Sequence, residues 1–363
     1  MPKSVADVRV QAFIDKINKT YEGSVAEKGG KFTALQMHRF SSGILHVDLC
    51  LGGGWPFSRI ALVAGNYSSG KTLLAIKACV NVEKHCMNCR AFHDLCKCGD
   101  FTPSPALFID LEGSFDMRWA AAHGFNGDFH VVARPETAEQ AVDIIDAAIR
   151  ENAFGLIVLD SIEAMTPIKE VEESAEDWQM GLGARLVNKA MRRWNASLNK
   201  LSQTTKCGGP LLLCINQLRE KLGVVMGDPR VLPKGKGQEF ASSIMLFTKP
   251  PKIEDGPEDK ETAYVTLRGV MKKNKTYIPH LEYEISMALK DTEEYKKGEV
   301  DNDKQLLKFG KKVGLVKKIG DGVGFDVTVC KSETALLSHF KHKPEIAKKL
   351  WRSIILAECG VMV

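Results

Sequence analysis

Gly65-Asn66-Tyr67-Ser68-Ser69-Gly70-Lys71-Thr72, preceded by Ile60-Ala61-Leu62-Val63-Ala64 and followed by Leu73-Leu74-Ala75-Ile76, decides the fold of this chain. It reads G-x-x-x-x-G-K-T between an apolar strand and a helix, the setting a phosphate-binding loop requires. Gly65 and Gly70 let the backbone curl with its N–H groups inward, an anion nest at a helix N-terminus, with Ser68 and Ser69 inside the curl. Lys71 is spaced to reach the β- and γ-phosphates, and the Thr72 hydroxyl to ligate Mg²⁺. The stretch implies a nucleoside triphosphate site.

Outward from this loop, short β-branched runs alternate with helical patterns between about residues 40 and 290. Strands are expected at Ile60–Ala64, Ala106–Asp110, Leu156–Asp160 and Leu211–Asn216, and helices at 72–84, 137–151 and 181–201. Such alternation predicts an α/β fold with a mostly parallel central sheet and helices on both faces. Further strands at Ser243–Thr248, Ala263–Arg268 and Leu281–Ile285 read as hairpins, with Pro250-Pro251-Lys252-Ile253-Glu254-Asp255-Gly256-Pro257 as a turn or exposed loop. Ahead of this body, Val10, Phe13, Ile14 and Ile17 recur at i, i+3, i+4 and i+7, so an amphipathic helix is expected over 5–20, followed by a tether. The reading divides the chain into 1–38, an N-terminal helix and oligomerisation segment; 39–290, the core; and 291–363, a small C-terminal α/β domain. Residues 293–363 carry 14 Lys/Arg against 10 Asp/Glu, a basic excess that a solvated surface also explains.

Composition narrows the class. The 363 residues are 44% hydrophobic and 26% charged, with a net charge of +5 that permits a polyanion partner without arguing for one. No apolar run approaches the ~20 residues of a membrane helix, and the N-terminus lacks a secretory signal, so a cytoplasmic location is expected.

Three strand ends carry polar groups suited to the phosphates. Leu156-Ile157-Val158-Leu159-Asp160 delivers Asp160 toward the Mg²⁺ shell. Leu107-Phe108-Ile109-Asp110-Leu111-Glu112 delivers Glu112, an acid placed to deprotonate the attacking water. A third ends in Asn216-Gln217, whose amides can sense the γ-phosphate. Catalytic hydrolysis is the simplest reading.

His85-Cys86-Met87-Asn88-Cys89, then His93 and Cys96-Lys97-Cys98, form C-x2-C-x6-C-x-C within 85–100. Four thiols so close suit a structural tetrahedral Zn²⁺, with His85 or His93 able to replace one. Two segments lack regular periodicity. One, about Ile168–Gln179, is acidic and runs into Met180; the other, about Leu218–Glu239, carries Arg219, Lys221, Arg230, Lys234 and Lys236 among glycines. Long loops in such a body are usually functional, and basic glycine-rich chain wraps phosphates.

Taken in order, these motifs resemble the RecA family of bacterial and phage recombinases. The likeness runs from Ser41-Ser42-Gly43 and Gly52-Gly53-Gly54-Trp55-Pro56 through the phosphate loop, Phe108–Glu112 and Asp160-Ser161-Ile162-Glu163-Ala164-Met165-Thr166-Pro167. It continues through Met180-Gly181-Leu182-Gly183-Ala184-Arg185 and Ile215-Asn216-Gln217-Leu218-Arg219. The resemblance implies ATP hydrolysis with Glu112 as general base and Gln217 as γ-phosphate sensor. It implies Asp116 and Trp119 beside the adenine, although Trp119 also suits a helix-face core position. Lys273-Asn274-Lys275 reads as solvated surface, but in the family this pair reaches the ATP of the adjacent protomer.

By the same likeness the two loops contact DNA. Arg185, Arg192, Arg219 and Lys221 would approach the backbone and Arg230 the phosphates, with Met180 and Met226 as apolar wedges. The implied activity is filament formation on single-stranded DNA with ATP and Mg²⁺, then pairing and strand exchange with a homologous duplex. A hexameric helicase motor shares the same core. The cysteine insertion departs from the family pattern, and the final Cys359-Gly360-Val361-Met362-Val363 lacks the acidic tail common there.

Overall fold

The computed structural model describes residues 5–22, 26–28, 37–172, 181–205, 207–220, 230–253 and 263–361. In chain order it opens with α1 (Val5–Thr20), β1 (Arg39–Phe40), α2 (Leu45–Leu51) and β2 (Trp55–Pro56). The body follows as β3 (Ile60–Gly65), α3 (Lys71–Val82), β4 (Ala106–Asp110), α4 (Met117–Ala122), β5 (Val131–Ala133), α5 (Ala138–Glu151) and β6 (Leu156–Asp160). Next come α6 (Ile168–Glu172), α7 (Leu182–Thr204), β7 (Leu211–Gln217), β8 (Arg219–Glu220), β9 (Arg230–Val231) and α8 (Gly237–Ala241). Three longer strands, β10 (Ile244–Ile253), β11 (Tyr264–Asn274) and β12 (Glu282–Ala288), complete the main sheet. A C-terminal unit holds α9 (Asn302–Lys312), β13 (Lys317–Ile319), β14 (Gly322–Phe325), β15 (Thr328–Cys330), α10 (Glu333–His342) and α11 (Pro344–Cys359).

The eight-stranded sheet runs β12-β11-β10-β3-β7-β6-β4-β5. From β10 to β5 neighbouring strands are parallel, whereas β10, β11 and β12 pair antiparallel. The parallel strands are apolar on both faces because helices cover both. Along β3, Ala61 and Val63 pack with Leu73, Leu74 and Ala78 of α3. Ile60, Leu62 and Ala64 point the other way, into the layer of α5 and α7 with Ile145, Ile149, Val187 and Trp194. A third core joins Leu45 and Leu49 of α2 to Leu306, Phe309, Phe340, Leu350 and Ile354, seating the C-terminal unit on the body.

The structure departs from the sequence reading in four places. Pro250 and Pro251 do not end their strand: β10 runs on to Ile253, with a register shift between Lys249 and Lys252 that accommodates residues without N–H donors. Ile168–Glu172, expected without regular structure, is a short helix; residues 173–180 lie outside the described set. The segment 218–239 contributes β8, paired antiparallel with β9, and the start of α8, with 221–229 outside the described residues. Lys273 lies in β11 and is half-buried rather than on a solvated loop.

Candidate functional site

Parallel strands deliver their carboxyl ends to one edge of the sheet, and the chemistry gathers there. Register sets Gly65 opposite Gln217 and Asp110 opposite Asp160. Gly70, with φ +87°, turns the loop into α3, a left-handed conformation that glycine adopts without strain. Ser69 Oγ donates to Asn66 O at 2.5 Å and lies 2.6 Å from Thr248 Oγ1. Lys71 is buried, its ammonium donating to Asn66 O at 2.6 Å, and burial pushes its pKa down against the pull of Asp160 and Glu112.

Thr72 Oγ1 donates to Asp160 Oδ2 at 3.1 Å. Burial, then the nearby Glu112 charge, lifts the Asp160 carboxyl to about 7. A carboxylate that burial makes reluctant to ionise, beside a hydroxyl and a lysine, fits a cation partner, so Thr72 and Asp160 suit Mg²⁺. Glu112 is exposed, and its Oε1 accepts from Gln217 Nε2 at 3.3 Å and from the Ser161 hydroxyl. Among the described residues both bonds go to Oε1 and none to Oε2.

Sequence reasoning missed what aims Glu112. Asp110, buried at the end of β4, accepts from the backbone N–H groups of Ser114 and Phe115 at 3.2 Å and from Arg134 Nε at 3.1 Å. Its carboxylate therefore shapes the turn that presents Glu112; a second acid two residues upstream was the available signal. Asn216 was also underread. It is buried, its Nδ2 donates 2.8 Å to Gln238 Oε1, and Gln238 Nε2 donates to Pro233 O and Gly235 O. The strand end carrying Gln217 is thus tied to the segment that follows β9.

Asp116 caps α4, accepting from Arg118 N and Trp119 N. Trp119 is half-buried against His123, ring centroids 4.2 Å apart. Lys273 Nζ donates to Glu239 O, while Lys275 is exposed. Between them Asn274 is buried, donating toward Cys50 O and Leu51 O and accepting from Thr276, which fixes the spacing of the two cations.

Arg185 and Arg192 lie on the exposed face of α7, seven residues and about 10 Å apart along its axis. Arg219 is exposed and paired with Glu163. Arg230 is half-buried in β9. Met180, Lys221 and Met226 lie outside the described residues.

The sulfurs of Cys86, Cys89, Cys96 and Cys98 all lie within 4.8 Å of one another, and Cys89 and Cys96 are 3.6 Å apart. A Zn–S distance of ~2.3 Å sets tetrahedral S···S edges of about 3.8 Å, so the set fits zinc. Neither histidine takes a place in it. His85 is buried, stacked edge-on to Phe92 with Nδ1 toward Asn81 O; His93 pairs with Asp94.

Burial opposes ionisation of Cys86, but backbone N–H groups hold its thiol down to about 6; its thiol neighbours push Cys98 up to about 12. Four thiolates cannot share this space without a cation. A second observation agrees. Arg90, inside the motif and 1% exposed, has no carboxylate partner and an unbonded Nε among the described residues. Burial pushes its pKa down to about 10 against the pull of the Cys207, Cys86 and Cys89 sulfurs, and the thiolates of a metal centre are a fitting counter-charge.

No described helix is long and apolar enough to cross a membrane. The family model for the RecA N-terminal domain matches residues 8–292. Protein RecA of Zymomonas mobilis subsp. mobilis is 31% identical over 349 residues, 95% of this chain and 89% of that protein. Protein RecA of Leptospira biflexa is 30% identical over 344 residues, 94% of this chain and 80% of the relative. Protein RecA of Clostridium novyi is 34% identical over 279 residues, 77% of this chain and 72% of the relative.

Proposed function

The chain belongs to the RecA family, and on that premise we propose that it is an ATP-dependent recombinase. It forms filaments on single-stranded DNA and carries out homologous pairing and strand exchange in recombination and repair. Membership of the family implies an ATPase. The observation that carries the finer reading is the convergence of Lys71, Thr72, Asp160, Glu112 and Gln217 on one sheet edge.

In this reading the amides of Gly65 to Thr72, with Ser68 and Ser69, wrap the phosphates, and Lys71 neutralises the β- and γ-oxygens. Mg²⁺, held by Thr72 and through Asp160, screens phosphate charge when bound. Glu112 Oε2 takes the proton from the attacking water while Gln217 holds Oε1. Asp116 and Trp119 flank the adenine. Lys273 and Lys275 reach the ATP of the next protomer, at a spacing Asn274 sets.

Gln217, through Asn216 and Gln238, transmits the state of the γ-phosphate to the second loop. Arg185, Arg192, Arg219 and Arg230, with Lys221, hold the DNA backbone, and Met180 and Met226 separate bases. On α1, Val10 and Phe13 are 49% and 62% exposed, an apolar stripe suited to a neighbouring protomer. We divide the chain into the 1–38 oligomerisation segment, the 39–290 ATPase and the 291–363 C-terminal domain, place it in the cytoplasm, and assign a structural Zn²⁺ to Cys86, Cys89, Cys96 and Cys98.

Electron microscopy with ATP and single-stranded DNA tests the reading, together with ATPase rates with and without that DNA. Helical filaments and DNA-stimulated hydrolysis are expected. Closed rings that unwind duplex would replace the recombinase with a helicase motor, and a persistent monomer would end both.

A further inference from the structure

The x6 spacer of the cysteine motif does something a merely local metal site would not. Its first residue, Arg90, points into the body, where Nη2 donates 2.7 Å to Asn152 Oδ1 and reaches Phe154 O, and the guanidinium stands 5.2 Å over the Phe57 ring. Its next residues face the C-terminal unit. Lys348 Nζ lies 2.8 Å and Arg352 Nη1 3.4 Å from Asp94 Oδ2. Both cations also sit 4.4 Å from the centroid of Phe92. Lys348 and Arg352 are one turn apart on α11, so two successive residues of one helix face grip one ring and one carboxylate.

Short local contacts hold this spacer as well: a 3₁₀ turn over His93–Leu95, an antiparallel bridge between His85 and Phe92, and the His93 ring edge-on to Phe101 at 4.6 Å. Its N-terminal side is tied by Cys86 N to Ala91 O at 2.8 Å and His93 N to Lys84 O at 2.9 Å. Leu95 is 39% exposed, and beyond it Lys97 to Asp100 are exposed and without regular structure. The return of the chain brings Cys96 and Cys98 to Cys86 and Cys89, and beyond them it is tied back by Met87 N to Thr102 O at 2.7 Å and Ser104 N to His85 O at 3.0 Å. We infer that the cysteine knuckle is a metal-dependent latch: Zn²⁺ bound by the four thiolates rigidifies the 90–95 turn, and Phe92 and Asp94 on that turn clamp the first half of α11 to the ATPase core.

This rests on the zinc assignment above. The clamp adds to the apolar seat of the C-terminal unit on α2, which α11 reaches through Leu350 and Ile354 and where Asn302 also donates 2.9 Å to Gly43 O. Loss of metal therefore loosens residues 344–352 and leaves α9 in place.

The test uses the full chain. Zinc content is measured by atomic emission, and amide exchange is followed before metal removal, after stripping with a thiol-directed mercurial plus chelator, and after Zn²⁺ is restored. One zinc per chain is expected. On stripping, exchange over 344–352 should accelerate about tenfold, the scale of a few partly exposed cation contacts, while 302–312 and 138–151 stay protected. Restored Zn²⁺ should return protection.

Because stripping can unfold the knuckle wholesale, the zinc-loaded Lys348→Ala/Arg352→Ala variant provides a second reading. It should keep its zinc and show the same acceleration. A chain that binds no zinc overturns the metal assignment and the latch with it. Bound zinc with unchanged exchange in the variant overturns the latch alone.

Discussion

Substituting Gly65 tests whether the phosphate loop is held by packing against β10. A Cβ built on Gly65 would meet Thr248 Oγ1 at 1.8 Å, Ser69 Oγ at 2.9 Å and Thr248 O at 2.9 Å. Carbon and oxygen atoms prefer about 3.5 Å, so in Gly65→Ala the hydroxyl must retreat by roughly 1.7 Å. It has nowhere free to go: Thr248 is 1% exposed, and its Oγ1 bonds Ser69 Oγ at 2.6 Å and donates to Ala64 O at 3.3 Å.

Overpacking costs about 1–3 kcal/mol and a displaced buried hydrogen bond about 1 more, so a destabilisation of about 2–4 kcal/mol is expected. Ser69 loses the partner that fixes its rotamer, so nucleotide affinity should fall about tenfold or more. Urea denaturation and titration with a fluorescent ATP analogue read the two effects. The decisive measurement is the double-mutant cycle with Thr248→Ala, which removes the 1.8 Å contact and leaves the 2.9 Å contacts with Ser69 Oγ and Thr248 O. Recovery of at least about 1 kcal/mol is expected, and additivity within about 0.3 kcal/mol would refute the reasoning.

Other expectations follow from the same geometry. Glu112→Gln should cut DNA-stimulated hydrolysis by about 10²–10⁴ while Mg·ATP binding stays; a loss below tenfold would remove Glu112 as the base. His130 Nδ1 accepts the Ala106 N–H at 3.1 Å, so its protonation sets two hydrogens against each other, and burial holds its pKa down to about 4. A depressed pKa gives stability that is full above about 6.5 and lost as pH falls through about 4, here about 1–2 kcal/mol. Urea midpoints from pH 7 to 4 should show that slope, and His130→Gln should reduce it, the rest coming from His85 and His123, which burial also holds down to about 4. Glu163 pairs with Arg219, so Glu163→Gln should raise affinity for single-stranded DNA a few-fold and steepen its salt dependence; unchanged binding would mean that Arg219 does not face the strand.

The body of the fold was legible because its signals are periodic and local. Ala106–Asp110 and Leu156–Asp160 begin and end where the apolar runs predict, since buried parallel strands need continuous apolar sequence and a polar residue terminates them. What the sequence hid depends on partners far along the chain. Pro250 and Pro251 read as a break, yet a register shift lets β10 run through them. Asn274 looked like a spacer between lysines, but its bonds to Cys50 O and Leu51 O come from residues more than two hundred positions away.

The site divides the same way. Motif spacing alone marks Lys71, Thr72, Asp160 and Glu112, because each stands at the end of its own strand or at the start of α3. The residues that orient them leave no such mark. Gln238 meets Asn216 only because α8 folds back over the end of β7, and Asp110 aims Glu112 only because Arg134 and two backbone amides converge on it. On the proposed function, coupling between the γ-phosphate and the second loop runs through one buried amide pair. Releasing their mutual bond leaves Asn216 Nδ2 and Gln238 Oε1 buried without that partner, at a cost of about 1–3 kcal/mol. A penalty of that size makes the contact behave as either made or broken, which is what a nucleotide-driven change in the loop needs.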